Sequence, residues 1–235
     1  MCGRYVLKTL PQQITEAIAP VVSSQLELFP RFNIAPSQSV PVVSADAENH
    51  RRLSMMRWGL IPAWAQDASI GNRLVNARSE GVLEKPAFRQ AFAKRRCLIP
   101  ADGFYEWAAS GKRKQPYFIC RRDRALLFFA GLWERWKQPG TEDFLESMTI
   151  LTTGADRVVA PIHDRMPVII APSDYARWLD RSEPIDRITA LLEPEADSQL
   201  IAQPVSSRVN MVANDGPELI EPIGAPSPRA DLKLF

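Results

Sequence analysis

The chain has 235 residues, of which 46% are apolar and 24% charged, ordinary values for a soluble globular protein able to bury a real core. No apolar run approaches the ~20 residues of a membrane span, and no basic-then-apolar leader opens the chain, so a cytoplasmic protein without a membrane partner is expected. The net charge of +2 conceals an asymmetry: residues 71–140 carry 15 Lys/Arg against 6 Asp/Glu, a local +9, and a basic middle segment of this kind either attracts a polyanion or is a solvated face.

In chain order, the first chemical signal is Cys2. Once Met1 is removed, this residue carries an α-amine and a thiol together, two nucleophiles that can close a five-membered ring on one aldehyde carbon. Their ordinary pKa values, ~7.7–8.0 and ~8.5, leave both partly reactive near neutral pH. Taken alone, a cysteine after the start codon means little. The three cysteines, Cys2, Cys97 and Cys120, are odd in number and lack metal-ligand spacing, which argues against a disulfide framework or structural zinc. Cys97 and Cys120 lie in apolar strands and read as inert core thiols.

Gly3–Leu7 alternates as a short strand that holds the terminus. Thr9 offers an N-cap and Pro11 a first-turn proline for a helix through Ile14 and Ile18, ended before Pro20. Arg31–Pro36, extended by its proline, is expected to be a loop leading into a strand at Pro41–Val43. A polar turn at Asp46–His50 precedes a strand from Leu53 to Leu60. Pro62–Gly71 is loop-like and carries Trp64.

Asn76 and Arg78 alternate on a strand end, so they face the same way; Asn can orient a carbonyl or hydroxyl, and the Arg fork can hold a phosphate. Pro86 starts a helix on which Phe88 and Phe92 share a face, ending in the basic run Lys94–Arg96. From Cys97 to Met148 the chain is β-rich with short turns, which implies antiparallel pairing, with Ser110–Lys114 as a hairpin tip. Glu106 lies within an aromatic strand, where burial raises a carboxylate's pKa and suits it to proton transfer. Ala155–Val159 reads as a helical turn that leads to the polar cluster His163-Asp164-Arg165 and a strand at Val168–Ala171. His50 is assigned no role. Ser173 caps a helix bearing Tyr175, Trp178 and Leu179, a second helix spans Ile185–Leu192, and Val205–Val212 is strand-like. The tail at 223–235, with two prolines, is expected to be disordered. With no repeats and no linker, residues 1–222 form one α+β domain, mainly antiparallel sheet with a barrel-like core and flanking helices.

Ordered together, several stretches carry a resemblance: Met-Cys-Gly-Arg at 1–4, Asn-Ile-Ala-Pro at 33–36, Trp-Gly-Leu-Ile-Pro at 58–62, Asn-Ala-Arg-Ser-Glu at 76–80, Ala-Asp-Gly-Phe-Tyr-Glu-Trp at 101–107 and Ile-His-Asp-Arg-Met-Pro at 162–167, with a weaker echo at 214–220. The chain resembles the SRAP family, named for SOS-response-associated peptidases and understood as abasic-site processing proteins. The resemblance implies that Cys2 is the nucleophile, that Asn76, Glu106 and His163 complete a catalytic set, and that Arg4, Asn33, Pro36, Trp64 and Arg78 meet the DNA. It implies single-stranded DNA containing an abasic site as partner, no cofactor or metal, a monomer, and association with the nucleoid when bound. It also implies a thiazolidine crosslink through Cys2, with release of Met1 as a peptidase activity. Some relatives place a second aromatic directly after the tryptophan matching Trp64, whereas here Ala65 stands there. Two other readings stand beside this one: an N-terminal-nucleophile cysteine peptidase acting on peptides, and a non-catalytic single-strand binding module.

Overall fold

Alternating apolar residues broken by turn formers make strands short and numerous, and these need sheet partners to satisfy their backbones. The computed structural model describes residues 2–19, 21–23, 26–46, 48–110, 113–194 and 199–224. The elements in chain order are β1 (Tyr5–Leu7), α1 (Pro11–Ala17), β2 (Val21–Ser23), β3 (Arg31–Ile34), β4 (Ser39–Ala45), β5 (Arg51–Trp58), β6 (Asn76–Arg78), α2 (Arg89–Lys94) and β7 (Arg96–Ala101). There follow β8 (Gly103–Ser110), β9 (Arg113–Arg121), β10 (Leu127–Lys137), β11 (Phe144–Gly154), β12 (Arg165–Pro167), α3 (Tyr175–Leu179), α4 (Ile185–Thr189) and β13 (Leu200–Pro204).

Strands β11, β10, β7, β4 and β5 are neighbours in that order, and β5 pairs back onto β11, so five strands close into a ring. Closure removes free edges from these strands. The barrel-like, mostly antiparallel core read from the sequence is therefore present. The closing pair is parallel, as are β6 on β11 and β2 on β5, so short turns did not make every pairing antiparallel. A second sheet, in the order β13-β9-β8-β1-β3, packs on the barrel.

The side chains explain this packing. Tyr5, Leu7 and Phe104 enter the large core shared with the barrel, while Val6 and Tyr105, on the other faces of β1 and β8, join an outer cluster with Phe118, Val205, Val209 and Leu219. Tyr5 packs on Trp58 at 5.4 Å and on Phe129 at 6.1 Å, and Phe104 meets Phe129 at 5.9 Å between centroids. Each such pair contributes about 0.5–1.5 kcal/mol beyond area burial. The second sheet is thereby riveted to the barrel by the strand that follows Cys2.

Several local expectations are corrected. Arg31–Ile34 is a strand rather than a loop, because it supplies the outer partner that β1 requires. Thr9 does not cap α1; its hydroxyl and amide, with the amide of Lys8, donate to buried Asp102, and Leu10 takes the cap position. Val168–Ala171 is not a strand: β12 ends at Pro167 and Ile169 makes only an isolated bridge to Phe129, while the loop after Ile61 winds into a 3-10 turn at Ala68–Arg73. Ser173 sits inside the 3-10 turn Pro172–Asp174, and Asp174 precedes α3. Val205–Val212 is not a strand: β13 lies just before it, and Ser206 caps a 3-10 turn at Ser207–Asn210. The hairpin tip at Gly111 and Lys112 and the tail from 225 onward lie outside the described residues.

Candidate active site

Cys2 directly precedes β1. Hydrogen bonds from Tyr105 N to Arg4 O at 3.0 Å and from Asp102 N to Val6 O at 2.8 Å tie that strand to β8. Cys2 is fully buried, and its carbonyl accepts from Asn76 Nδ2 at 2.9 Å. Burial pushes the thiol well above its ordinary value, and the Glu106 carboxyl acts in the same direction. The resting sulfur is therefore a neutral thiol.

Asn76 is held by the Trp-Gly motif. The Trp58 indole donates to Val75 O at 2.9 Å, and Leu60 N donates to Leu74 O at 3.1 Å, fixing the backbone just before β6. Gly59 adopts φ 129°, and a Cβ on Gly59 or on Gly71 would stand 2.6 Å from the other's carbonyl oxygen. Only glycines let these two segments approach so closely. Asn76 Oδ1 is buried and takes no hydrogen bond among the described residues.

Glu106 shares the inner face of β8 with Phe104 and is buried. Burial raises its carboxyl above the ordinary range, partly offset by the His163 ring. His163 is half-buried at the end of a turn set by Asp156, which caps the amides of Val158 and Val159. Its Nδ1 accepts from Arg165 N at 2.9 Å. The Asp164 carboxylate lies equally close to Nδ1, which would require a proton there. A backbone N–H can only donate, and Asp164 is 86% exposed to competing water, so the amide decides: Nδ1 is bare and a neutral ring carries its proton on Nε2.

Cys2, Asn76, Glu106 and His163, scattered over 160 residues of sequence, thus converge. The expected DNA-contact residues divide. Trp64 is 57% exposed on a loop anchored where Trp136 Nε1 donates to Ala65 O at 2.7 Å. Ala65 itself is buried against Trp136, so position 65 anchors the loop here. Arg78 is exposed on the same strand as Asn76, and Pro36 is half-buried in a turn. Arg4 and Asn33 are committed within the protein. The Arg4 guanidinium donates to Asn33 Oδ1 and to the carbonyls of Val209 and Asn210. Fully buried Asn33 donates to the carbonyls of Val209, Met211 and Asn214. Asn33 therefore fastens the 209–214 segment rather than facing a ligand.

Four residues outside the predicted set matter. Asp215 accepts from the amides of Phe32 and Asn33, and Trp107 Nε1 donates to Asn210 Oδ1, completing the strap at 209–215. Glu80 and Arg165 form an ion pair between the turn after β6 and the start of β12. All belong to the quoted motifs, but their partnerships span the chain. Among the described residues, Asp46, Glu48 and His50 are close enough to bind a cation, yet they are exposed and Asp46 is occupied in capping the turn amides. An apolar cavity of about 210 Å³ lined by Phe128, Met166, Ile170 and Tyr175 includes none of the four converging residues.

A family model described as SOS response associated peptidase (SRAP) matches residues 1–212. The chain belongs to the SRAP family. The abasic site processing protein YoqW of Bacillus subtilis (strain 168) is 41% identical over 224 residues, covering 94% of this chain and 99% of the relative. YoaM of the same organism, also named an abasic site processing protein, is 40% identical over 224 residues, 94% of this chain and 98% of its own. An X-ray structure of a Bacteroides thetaiotaomicron protein shares the fold, with a TM-score of 0.83 at 24% identity over 94% of this chain and 99% of that one. Among the described residues of this SRAP chain, no helix is long and apolar enough to cross a membrane.

Proposed function

We propose that this SRAP protein processes abasic sites in single-stranded DNA by forming a covalent thiazolidine through Cys2. The observation that carries the reading is the convergence on Cys2 of a carbonyl anchor, Asn76, and a buried acid, Glu106, itself within the field of His163. With Met1 removed, the α-amine attacks the C1 aldehyde of the ring-opened sugar to give a carbinolamine. Loss of water, with Glu106 supplying the proton, gives the Schiff base. The thiol then adds to the carbon of the protonated imine: the C–S bond forms, the nitrogen takes up the π electrons and becomes a neutral ring amine, and the S–H proton returns to the Glu106 carboxylate. The balance is aldehyde plus cysteine giving thiazolidine plus water. His163, with its proton on Nε2, donates to and recovers it from the sugar oxygen as the sugar opens and recloses.

The resting thiol is consistent with this order, since the amine acts first and the sulfur is deprotonated only in the second step. A general cysteine peptidase requires the opposite shift, a thiolate stabilised by a neighbouring cation. Release of Met1 is the peptidase activity we assign to the site, through the Cys2 thiol adjacent to the Met1 carbonyl. Trp64 supplies a stacking face, and Arg78 a phosphate contact whose strength falls with salt.

The test is incubation of protein of verified intact mass with single-stranded DNA carrying one abasic site, followed by a denaturing gel. A heat-stable shifted band from protein lacking Met1, absent in Cys2→Ala, is expected. No band from protein lacking Met1 would overturn the covalent mechanism. Purified protein that still carries Met1 should shed it in vitro, where no aminopeptidase is present, and Cys2→Ala should keep it, if the site releases its own methionine.

A further inference from the structure

A neutral His163 ring can donate from Nε2 only while Nδ1 is kept bare, and Nδ1 has two neighbours that pull in opposite directions. The Arg165 amide donates to it, while the Asp164 carboxylate, at 2.9 Å, favours a proton on it. Which neighbour wins depends on where the first residue of β12 stands.

That strand is only three residues long, paired to β11 through Gly154↔Arg165, Thr153↔Met166 and Thr152↔Pro167. Its first residue is secured by its side chain. The Arg165 guanidinium, 13% exposed, grips both carboxylate oxygens of Glu80 and donates from Nη2 to Thr152 O at 2.6 Å. Such a planar fork fixes orientation as well as distance. Glu80 lies in the 3-10 turn that directly follows β6, and β6 pairs with the same β11 segment through Arg78↔Thr152. The ion pair thus closes a triangle of β6, β11 and β12, joining the strand of Asn76 to the loop of His163. Arg165 holds the Glu80 carboxyl down to about 2, so the pair stays charged across the working range.

We infer that Glu80, acting through Arg165, is a positioning residue that holds the Arg165 amide on His163 Nδ1 and so keeps the ring in the Nε2–H form. This rests on the reading of His163 above, but its structural core is independent of any DNA chemistry. Without Glu80 a mostly buried guanidinium loses its counter-charge and withdraws. The start of β12 moves with it, and the ring turns to Asp164. The proton shifts to Nδ1, and Nε2 becomes an acceptor unable to donate.

The chain has two histidines, so long-range ¹H–¹⁵N NMR of the ring nitrogens gives two spin systems, and His50→Gln assigns them. At a pH where the ring is neutral, the parent should show the Nε2–H tautomer for His163. Glu80→Gln should convert it, in whole or in large part, to Nδ1–H, and Glu80→Gln combined with Asp164→Asn should restore Nε2–H. Crosslinking by Glu80→Gln should slow at least about tenfold, because the wrong tautomer disables acid–base transfer. The double variant should recover. If Glu80→Gln fails to fold, Arg165→Lys, which keeps the charge but loses the fork, is read the same way. A parent-like tautomer in a folded Glu80→Gln protein, or failure of Asp164→Asn to reverse the change, overturns the inference. A parent that shows the Nε2–H tautomer but makes no crosslink rejects the proposed function and leaves the positioning role standing.

Discussion

Replacing Asn76 with alanine removes the amide that donates to the Cys2 carbonyl at 2.9 Å, and leaves that carbonyl in a fully buried residue without this donor. A buried acceptor stripped of its partner costs about 1–3 kcal/mol. The same substitution also deletes Asn76 Oδ1, a buried acceptor without a partner among the described residues, and so removes a comparable penalty from the folded state. The two largely cancel in folding, and the melting temperature should move by only a few degrees. In the reaction they do not cancel, because the nucleophile then reaches the aldehyde from a backbone no longer fixed. A loss of about 1–3 kcal/mol in the transition state is about a 5- to 150-fold slower crosslink. Single-turnover time courses with abasic single-stranded DNA, run beside thermal melts, measure both quantities. Crosslinking within twofold of the parent would refute the reasoning, as would a rate loss explained entirely by unfolding. Asn76→Asp, which turns a carboxylate toward the Cys2 carbonyl, should be slower still.

Glu106→Gln tests the buried carboxyl through pH. Burial raises the folded-state pKa above the unfolded ~4.3, so Glu106 contributes stability that is full in acid and lost as pH rises through the folded value. The glutamine variant should match the parent in acid, exceed it in melting temperature at higher pH and crosslink poorly; parallel stability curves would contradict the shift. Gly71→Ala forces a Cβ to 2.6 Å from the Gly59 carbonyl oxygen, backbone against backbone, and should destabilise by about 1–3 kcal/mol while slowing crosslinking through displacement of β6. Trp64→Ala should weaken binding to single-stranded DNA by about 1–3 kcal/mol with no change in melting temperature, measured by anisotropy with a non-reactive abasic analogue; unchanged affinity would remove Trp64 from the interface.

The barrel strands between Cys97 and Met148 were legible because turn residues punctuate them at short intervals and their pairings are mostly local. The β3 strand was not, since what makes Arg31–Ile34 a strand is β1, and no local pattern carries that. The same distance problem explains the caps: Thr9 is a good N-cap in isolation, but Asp102, 93 positions away, claims it. Cys2, Asn76, Glu106 and His163 stood out through residue chemistry and motif, and the fold brings them together. Asn33 shows the limit of that approach, because a buried asparagine binding three carbonyls reads in sequence like one awaiting a ligand. Glu80 and Arg165 were both within quoted motifs, yet their partnership across 85 positions appears only once β6 and β12 flank β11.

The strap at 209–215 has a consequence for how the protein is made. Arg4, two residues from Cys2, is fastened to Val209 and Asn210, and Asp215 locks the strand beside it. These anchors are translated some 200 residues after Cys2, about 10–40 s later at ordinary elongation rates. Throughout that interval the N-terminus has left the ribosome but lacks its last fastenings. A ribosome-associated aminopeptidase can therefore reach Met1 on the nascent chain, whereas the self-processing proposed above would have to wait until Glu106 and His163 have emerged. The strap is thus laid down after the residues it fastens, and until it forms the N-terminal segment lacks the anchors on Arg4.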